Sequence, residues 1–318
     1  MTRNTPRSES EGGSIVALAA ISLVPLVLGL AIVVDSGRVW AERTTLQNAV
    51  ETTAASAASE WLRTGSVCPA DVRERLTGDG ASPNEVECTT TGMPRNGTLT
   101  VSARDTAPLT FVDVLGRSTA RIDASTTVRT GSPGALVGVW PIALCDKHPS
   151  LVAWKNSGFT LTTNYTITLQ SNPSHCGTSG GGNWGVLDFN GGSNSSSETA
   201  DWVINGYPES LEVGDVVTGT TGAISNSIGI DAMIGKSVLV ALYDSATGTG
   251  SSAQFRISGF TRAVLVAARL TGSAASRSLT VRFQTGIVDR ATASVGDGVD
   301  FGLTTWGICA YDNTGDCT

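Results

Sequence analysis

Two histidines, His148 and His175, are the only imidazoles in 318 residues, and His175 stands beside Cys176. A thiolate and an imidazole are parts of a nucleophilic site, but they must meet in space with a third, orienting group, which adjacency in sequence does not provide. A cysteine held in a disulfide is no nucleophile, so His175 reads as a loop histidine. Gly177 to Gly185 (GTSGGGNWG) has the glycines of a phosphate loop without the Lys-Ser/Thr that must follow, and reads as a turn. Asp123 to Thr127 (DASTT) approximates the D-x-S-x-S/T start of a metal-ion adhesion site. The preceding STARI, however, is not the continuous apolar run of a buried parallel strand, and no α/β alternation follows. Asp312 to Asp316 (DNTGD) lacks the later glutamate of a calcium loop and suits a tight C-terminal turn. Asp297 and Asp300 lie in a glycine-rich loop, where sequence cannot show whether they face each other. No convergent acid/base pair emerges. The expectation is a protein that is not an enzyme, with no cofactor, no metal and no identified small-molecule substrate.

The elements that would carry such residues follow from composition. The formal charge is −7 and the pI about 4.9, and only Lys147, Lys155 and Lys236 are lysines among 21 basic residues. Without a concentrated basic patch, nucleic acid is excluded as a partner. Charged residues make up 15%, below the usual quarter, while Gly, Ser and Thr abound, which points to a Thr/Val-rich β protein. Six cysteines fall as local pairs, Cys68/Cys88, Cys145/Cys176 and Cys309/Cys317, with no C-x-x-C. Behind a membrane-entry segment these are disulfide candidates of an oxidising compartment, although six cysteines allow about 15 connectivities.

That segment is Ser14 to Val34, 21 residues without a charge. At about 1.5 Å per helical residue it spans roughly 30 Å, the hydrocarbon thickness of a bilayer. A cleaved signal peptide would have a shorter apolar core, about 7–15 residues, so a retained anchor is expected. Arg and Lys counts on its two flanks nearly tie. The cysteines decide orientation, placing residues 1–13 inside the cytoplasm and the bulk of the chain outside the cytoplasmic (inner) membrane. From residue 35 to 64 the pattern stays helical. Val39, Leu46, Val50, Ala57 and Trp61 recur at spacings of seven, four, seven and four, lining one face. Thr52 to Ser59 (TTAASAAS) is rich in small residues that permit close helix approach. Two uses of the face are open: packing on other helices, or lying on the chain's own core.

The stretch from Gly13 to Ser59 resembles the N-terminus of TadE/TadG-like proteins of bacterial Tad (Flp-type) pilus assembly. The residues that match are Gly13 and Ser14, then Asp35, Gly37 and Arg38, then Leu46, Gln47, Asn48 and Ala49. Ala17 and Leu18 stand five residues beyond Gly12 and Gly13, where pilins cut by a prepilin peptidase carry glutamate. The resemblance is therefore closest to the TadG-like branch. It implies a minor-pilin-like assembly component whose partners are the membrane and other Tad proteins, met through the N-terminal helix. It also marks Asp35, Arg38 and Gln47 as docking residues after the helix face itself.

Residues 65–132 are expected to form a small α+β region ending at Gly131-Ser132-Pro133-Gly134, which looks like a boundary. Residues 135–318 read as an all-β, sandwich-like domain of short strands, including ADWVI at 200–204. Gly182 to Phe189 and Val238 to Asp244 resemble late segments of TadG-like proteins. The fold class expected is α+β: a transmembrane helix extended into a pilin-like helix, then strands. The function expected is non-catalytic pilus assembly. A membrane-anchored adhesin or glycan-binding protein is the alternative; it requires Trp140, Trp154, Trp184, Trp202 and Trp306 to form an exposed face, whereas core filling is the commoner role.

Overall fold

The computed structural model describes residues 12–66, 68–169, 175–176, 182–191, 196–221 and 229–309. It has the α+β architecture expected, one long apolar N-terminal helix followed mostly by strands. Helix α1 (Gly12–Thr64) runs unbroken through Pro25. A short helix α2 (Val72–Gly78) precedes the strands β1 (Glu85–Met93), β2 (Asn96–Pro108) and β3 (Thr119–Leu136). A 3-10 turn, Val112–Leu115, interrupts the path from β2 to β3.

The chain divides into two compact units, and the long elements run on from one into the other. The first unit comprises Met1–Ala54, Ala70–Cys88 and Val101–Thr126. Within it Leu46, Ala49, Val50 and Ala54 of α1 are buried, as are Val101 and Ala103 of β2 and Ile122 and Ala124 of β3. The strand residues alternate, so one face of each strand is covered. The Gln47 side-chain amide donates to Thr126 Oγ1 at 3.1 Å, on that covered face. The first unit is thus a helix laid on a sheet.

The second unit comprises Ala55–Pro69, Thr89–Thr100 and Thr127–Thr318. Its further strands are β4 (Val139–Cys145), β5 (Tyr165–Thr168), β6 (Trp184–Asp188), β7 (Leu211–Glu212), β8 (Val216–Thr220), β9 (Ser237–Thr247), β10 (Ala253–Arg269), β11 (Ser278–Gln284), β12 (Gly286–Ile287), β13 (Ala293–Gly296) and β14 (Leu303–Ile308). Their order in one sheet is β5-β11-β10-β8-β6-β4-β9, and β10 also pairs with β9. The pairings β10-β8-β6-β4-β9-β10 therefore close a ring, so the sandwich-like expectation resolves into a partial barrel. The register of β10 shifts between Arg256 and Ile257, between Ile257 and Gly259, and again after Leu265. Such bulges bend a long strand enough to serve neighbours on both edges. Two apolar clusters fill this unit, one containing Trp140, Trp154 and Trp184, the other Tyr243 and Phe255.

Two expectations are corrected. Gly131–Gly134 is no boundary, because β3 passes straight through it. A Cβ on Gly134 would meet Gly296 Cα at 2.9 Å, so this glycine serves the close approach of β13 rather than a turn. The ADWVI segment is not a strand but lies in helix α4 (Ser196–Asn205), and helix α3 (Pro149–Asn156) is also present, so the C-terminal region is not purely β. Trp202 and Val203 are adjacent and both buried, with Thr199 buried on the preceding turn. Five residues are too few for alternation to tell a strand from one face of a helix.

Candidate functional site

The site best defined by geometry lies where the apolar half of α1 ends. Exposed apolar side chains run from Leu18 to Val34, and Asp35 is the first charge after them. A carboxylate there must keep acceptors satisfied without free access to water. Asp35 is only 2% exposed. Its Oδ1 accepts the backbone N–H of Thr110 at 3.0 Å, and its Oδ2 accepts those of Phe111 at 2.9 Å and Val112 at 2.8 Å. The Asx-like clamp thereby satisfies orphan N–H groups at the start of the 3-10 turn. Burial pushes the Asp35 pKa up, but the three N–H donors, helped by Arg38, outweigh it and hold the carboxyl below its usual range. Arg38 reaches Glu42 at 3.2 Å and Thr110 Oγ1 at 3.4 Å. The loop after β2 is thus fastened to the helix by one residue of the sequence motif.

The other motif residues serve the same packing. Gln47 bonds Glu51 at 2.9 Å as well as Thr126. Asn48 is exposed, and its carbonyl accepts the Thr52 hydroxyl, while Gly13 lies in the first turn of α1. Along the expected packing face, Val39 is half-buried and Leu46, Val50, Ala57 and Trp61 are buried. Trp61 lies against Gly97, where a Cβ would come within 2.8 Å of the indole. These four side chains are spent on the chain's own fold and are not free for the docking on other helices expected of them; the long apolar surface that α1 leaves open is the run before Asp35. The sequence did not reveal the clamp's other half, Thr110–Val112. Its partner is 75 residues away, and the only local hint is the apolar run FVDVL.

The candidates for chemistry scatter. Cys145 and Cys176 form a disulfide with Cα atoms 5.7 Å apart, and Cys68, Cys88 and Cys309 are also disulfide-bonded. Cys317 and the DNTGD segment lie outside the described residues, as does most of the glycine run before Gly182. Cys145, Asp146 and Cys176 sit close enough to suggest a metal group, but both sulfurs are used in bonding each other. His175 meets the His148 ring edge-on at 5.5 Å. His148 Nδ1 accepts the Ser150 N–H at the start of α3, and burial, then His175, lowers its pKa to about 4. Asp123 pairs with Arg104 and Arg121 on an exposed strand face. Asp300 holds Arg95 in a two-pronged pair at 2.8 and 2.9 Å, and Asp297 pairs with Arg129. These carboxylates face arginines, not each other.

Trp140, Trp154, Trp184 and Trp202 are buried, and Trp306 is half-buried beneath Arg290. They fill cores. One open cleft of about 580 Å³ lies beside α4, where Phe189 and Tyr207 stack at 4.2 Å with Trp202 edge-on, rimmed by Glu198, Asp201 and Glu209.

Among the described residues one helix, near the N-terminus, is long and apolar enough to cross a bilayer, and a disulfide-bonded β-rich region follows it, an arrangement consistent with a single-pass membrane anchor. Residues 13–60 match the family model described as putative Flp pilus-assembly TadE/G-like, which makes this segment TadE/TadG-like and supports a Flp-pilus-associated role. The match ends within α1, before any strand begins. No curated protein and no solved structure gives a significant match.

Proposed function

We propose that this protein is a non-catalytic, TadG-like, minor-pilin-like component of Tad/Flp pilus assembly. Residues 1–13 lie in the cytoplasm, residues 14–34 cross the inner membrane, and the β-rich region works outside it. The observation that carries this reading is the coincidence of the family match with an apolar helix whose own covered face begins only past the bilayer. The apolar half is left free to meet other pilin-like helices within the membrane. Gly29 lies in that half with nothing within 4 Å of where its Cβ would be, and a small residue there permits close helix approach. Disulfides support an oxidising, extracytoplasmic location.

The test is a gene deletion with surface pili counted by electron microscopy. Wild type restores pili, while Gly29→Leu accumulates as folded, disulfide-bonded membrane protein and does not. Normal pili in the deletion strain would overturn the reading. A second reading, a membrane-anchored adhesin that binds glycans, rests on the Phe189–Tyr207 stack beside three carboxylates. Glycan-array binding by the full chain, lost in Tyr207→Ala, would support it.

A further inference from the structure

The loop between β2 and β3 has a height that can be read off the helix. Phe111 and Val112 donate their N–H groups to Asp35, one residue beyond the uncharged run. At about 1.5 Å of rise per residue, Asp35 lies roughly 1.5 Å past Val34 along the helix axis. The layer between hydrocarbon and water is about 5–7 Å deep on each side of a bilayer. The loop backbone bonded to Asp35 therefore stands within that layer. Phe111 is nonetheless 48% exposed, an aromatic residue half-open at that depth. Trp40, 70% exposed, follows about 9 Å past Val34, just beyond that layer. Aromatic side chains concentrate at this depth because an apolar body and a polarisable face suit a boundary between oil and water.

We propose that residues 109–118 form an interfacial anchor. Phe111 enters the headgroup layer of the bilayer that α1 crosses, and Asp35 sets the loop at that depth. The occupant of the exposed Phe111 surface is the lipid interface, because the loop is tied to the membrane helix itself at its point of exit. Nearby charges are mixed, Arg38 and Arg117 against Glu42 and Asp113, so attraction to anionic lipid contributes little. The second attachment point restrains rotation of α1 about its own axis, and so fixes which side of the membrane helix the first unit overlies. The proposal rests on residues 14–34 crossing the bilayer.

The test places trifluoromethyl-phenylalanine at position 111 of the full-length protein in phosphatidylcholine nanodiscs and follows the fluorine NMR signal. Because Phe111 is exposed, the replacement leaves folding intact. Loss of most of the signal with a nitroxide lipid labelled near the headgroup, and little loss with a water-soluble nickel chelate, is the expected result. Loss to nickel alone, or to neither agent, would overturn the proposal; the second outcome means that protein covers the ring. The same label at Leu28 separates the two readings. If a mid-chain nitroxide lipid reaches position 28 but the headgroup nitroxide spares position 111, the loop anchor fails and the membrane span stands. If position 28 is also spared, the span itself is wrong. Asp35→Ala should release the loop and open position 111 to nickel.

Discussion

Helix α1 does two jobs with one continuous backbone, and its halves differ in what covers them. From Leu18 to Val34 the large apolar side chains among the described residues are exposed, whereas Leu46, Val50, Ala57 and Trp61 are buried within the chain. Both halves carry small residues, but composition separates them: residues 14–34 hold no charge, whereas residues 35–64 carry Asp35, Arg38, Glu42, Arg43, Glu51, Glu60 and Arg63. What covers the apolar face of the outer half is decided by the rest of the chain. The outer half has strands whose alternate residues make an apolar face for it, and the membrane half has only lipid or another helix. Small residues in the outer half admit the chain's own sheet. Under the proposed function, those in the membrane half leave room for a partner helix.

The sharpest way to break this comparison is to place a charge in each half. Val50→Arg puts an unpaired guanidinium at a position with 0% exposure and should cost on the order of 5 kcal/mol, enough to prevent folding. Leu26→Arg, in the exposed half, should cost about 2.5–3.5 kcal/mol of membrane insertion and leave disulfide formation intact. Urea titration of purified protein and membrane fractionation distinguish the two. Equal loss of folded protein in both would erase the distinction between the halves.

Next in size is the disulfide, which belongs to the β-rich unit. Cys145 and Cys176 are separated by 31 residues, and removing the cross-link as a double alanine variant should cost about 3–4 kcal/mol. The urea midpoint of the β-rich region should fall, with the membrane fraction unchanged. A loss confined to membrane association would contradict the assignment of this bridge to the β-rich fold.

Acid should then find the two units at different pH values. His148 has a folded pKa of about 4, below its ordinary 6.5, so the unfolded chain binds the extra proton first. Its contribution is complete above pH 6.5 and is lost as pH falls towards 4. Asparagine also caps helices well, so His148→Asn should keep α3 and flatten stability between those values. Asp35 acts lower. Its folded pKa lies below the ordinary 3.8, so its contribution is present above that value and is lost as pH falls through the folded one. Asp35→Asn should remove this last acid limb, with a small effect at neutral pH beyond the loosened loop. Tryptophan fluorescence followed against pH for the two variants checks the order.

The residues show why some of this was legible beforehand. The anchor, its length and the end of the apolar run needed only uncharged residues in succession, because transfer to lipid depends on composition and not on fold. The helix face at Leu46, Val50, Ala57 and Trp61 was equally visible as a period. Its partner was not, since a period shows that a face is covered without naming the cover. In the β region, Gly134 looked like a turn residue and proved to be a site of close strand approach, because glycine signals either use. ADWVI was too short for its period to be read.

What the sequence by itself determined is an apolar span, a helix running on beyond it, and a disulfide-bonded strand-rich remainder, all set by local composition and spacing. Only the tertiary structure decided that the outer helix face is closed by the chain's own strands and that Trp140, Trp154 and Trp184 are core. The same holds for the clamp that ties Asp35 to Thr110–Val112. Each of these joins residues tens of positions apart, and such contacts form only when the chain has chosen which distant surfaces to bury together.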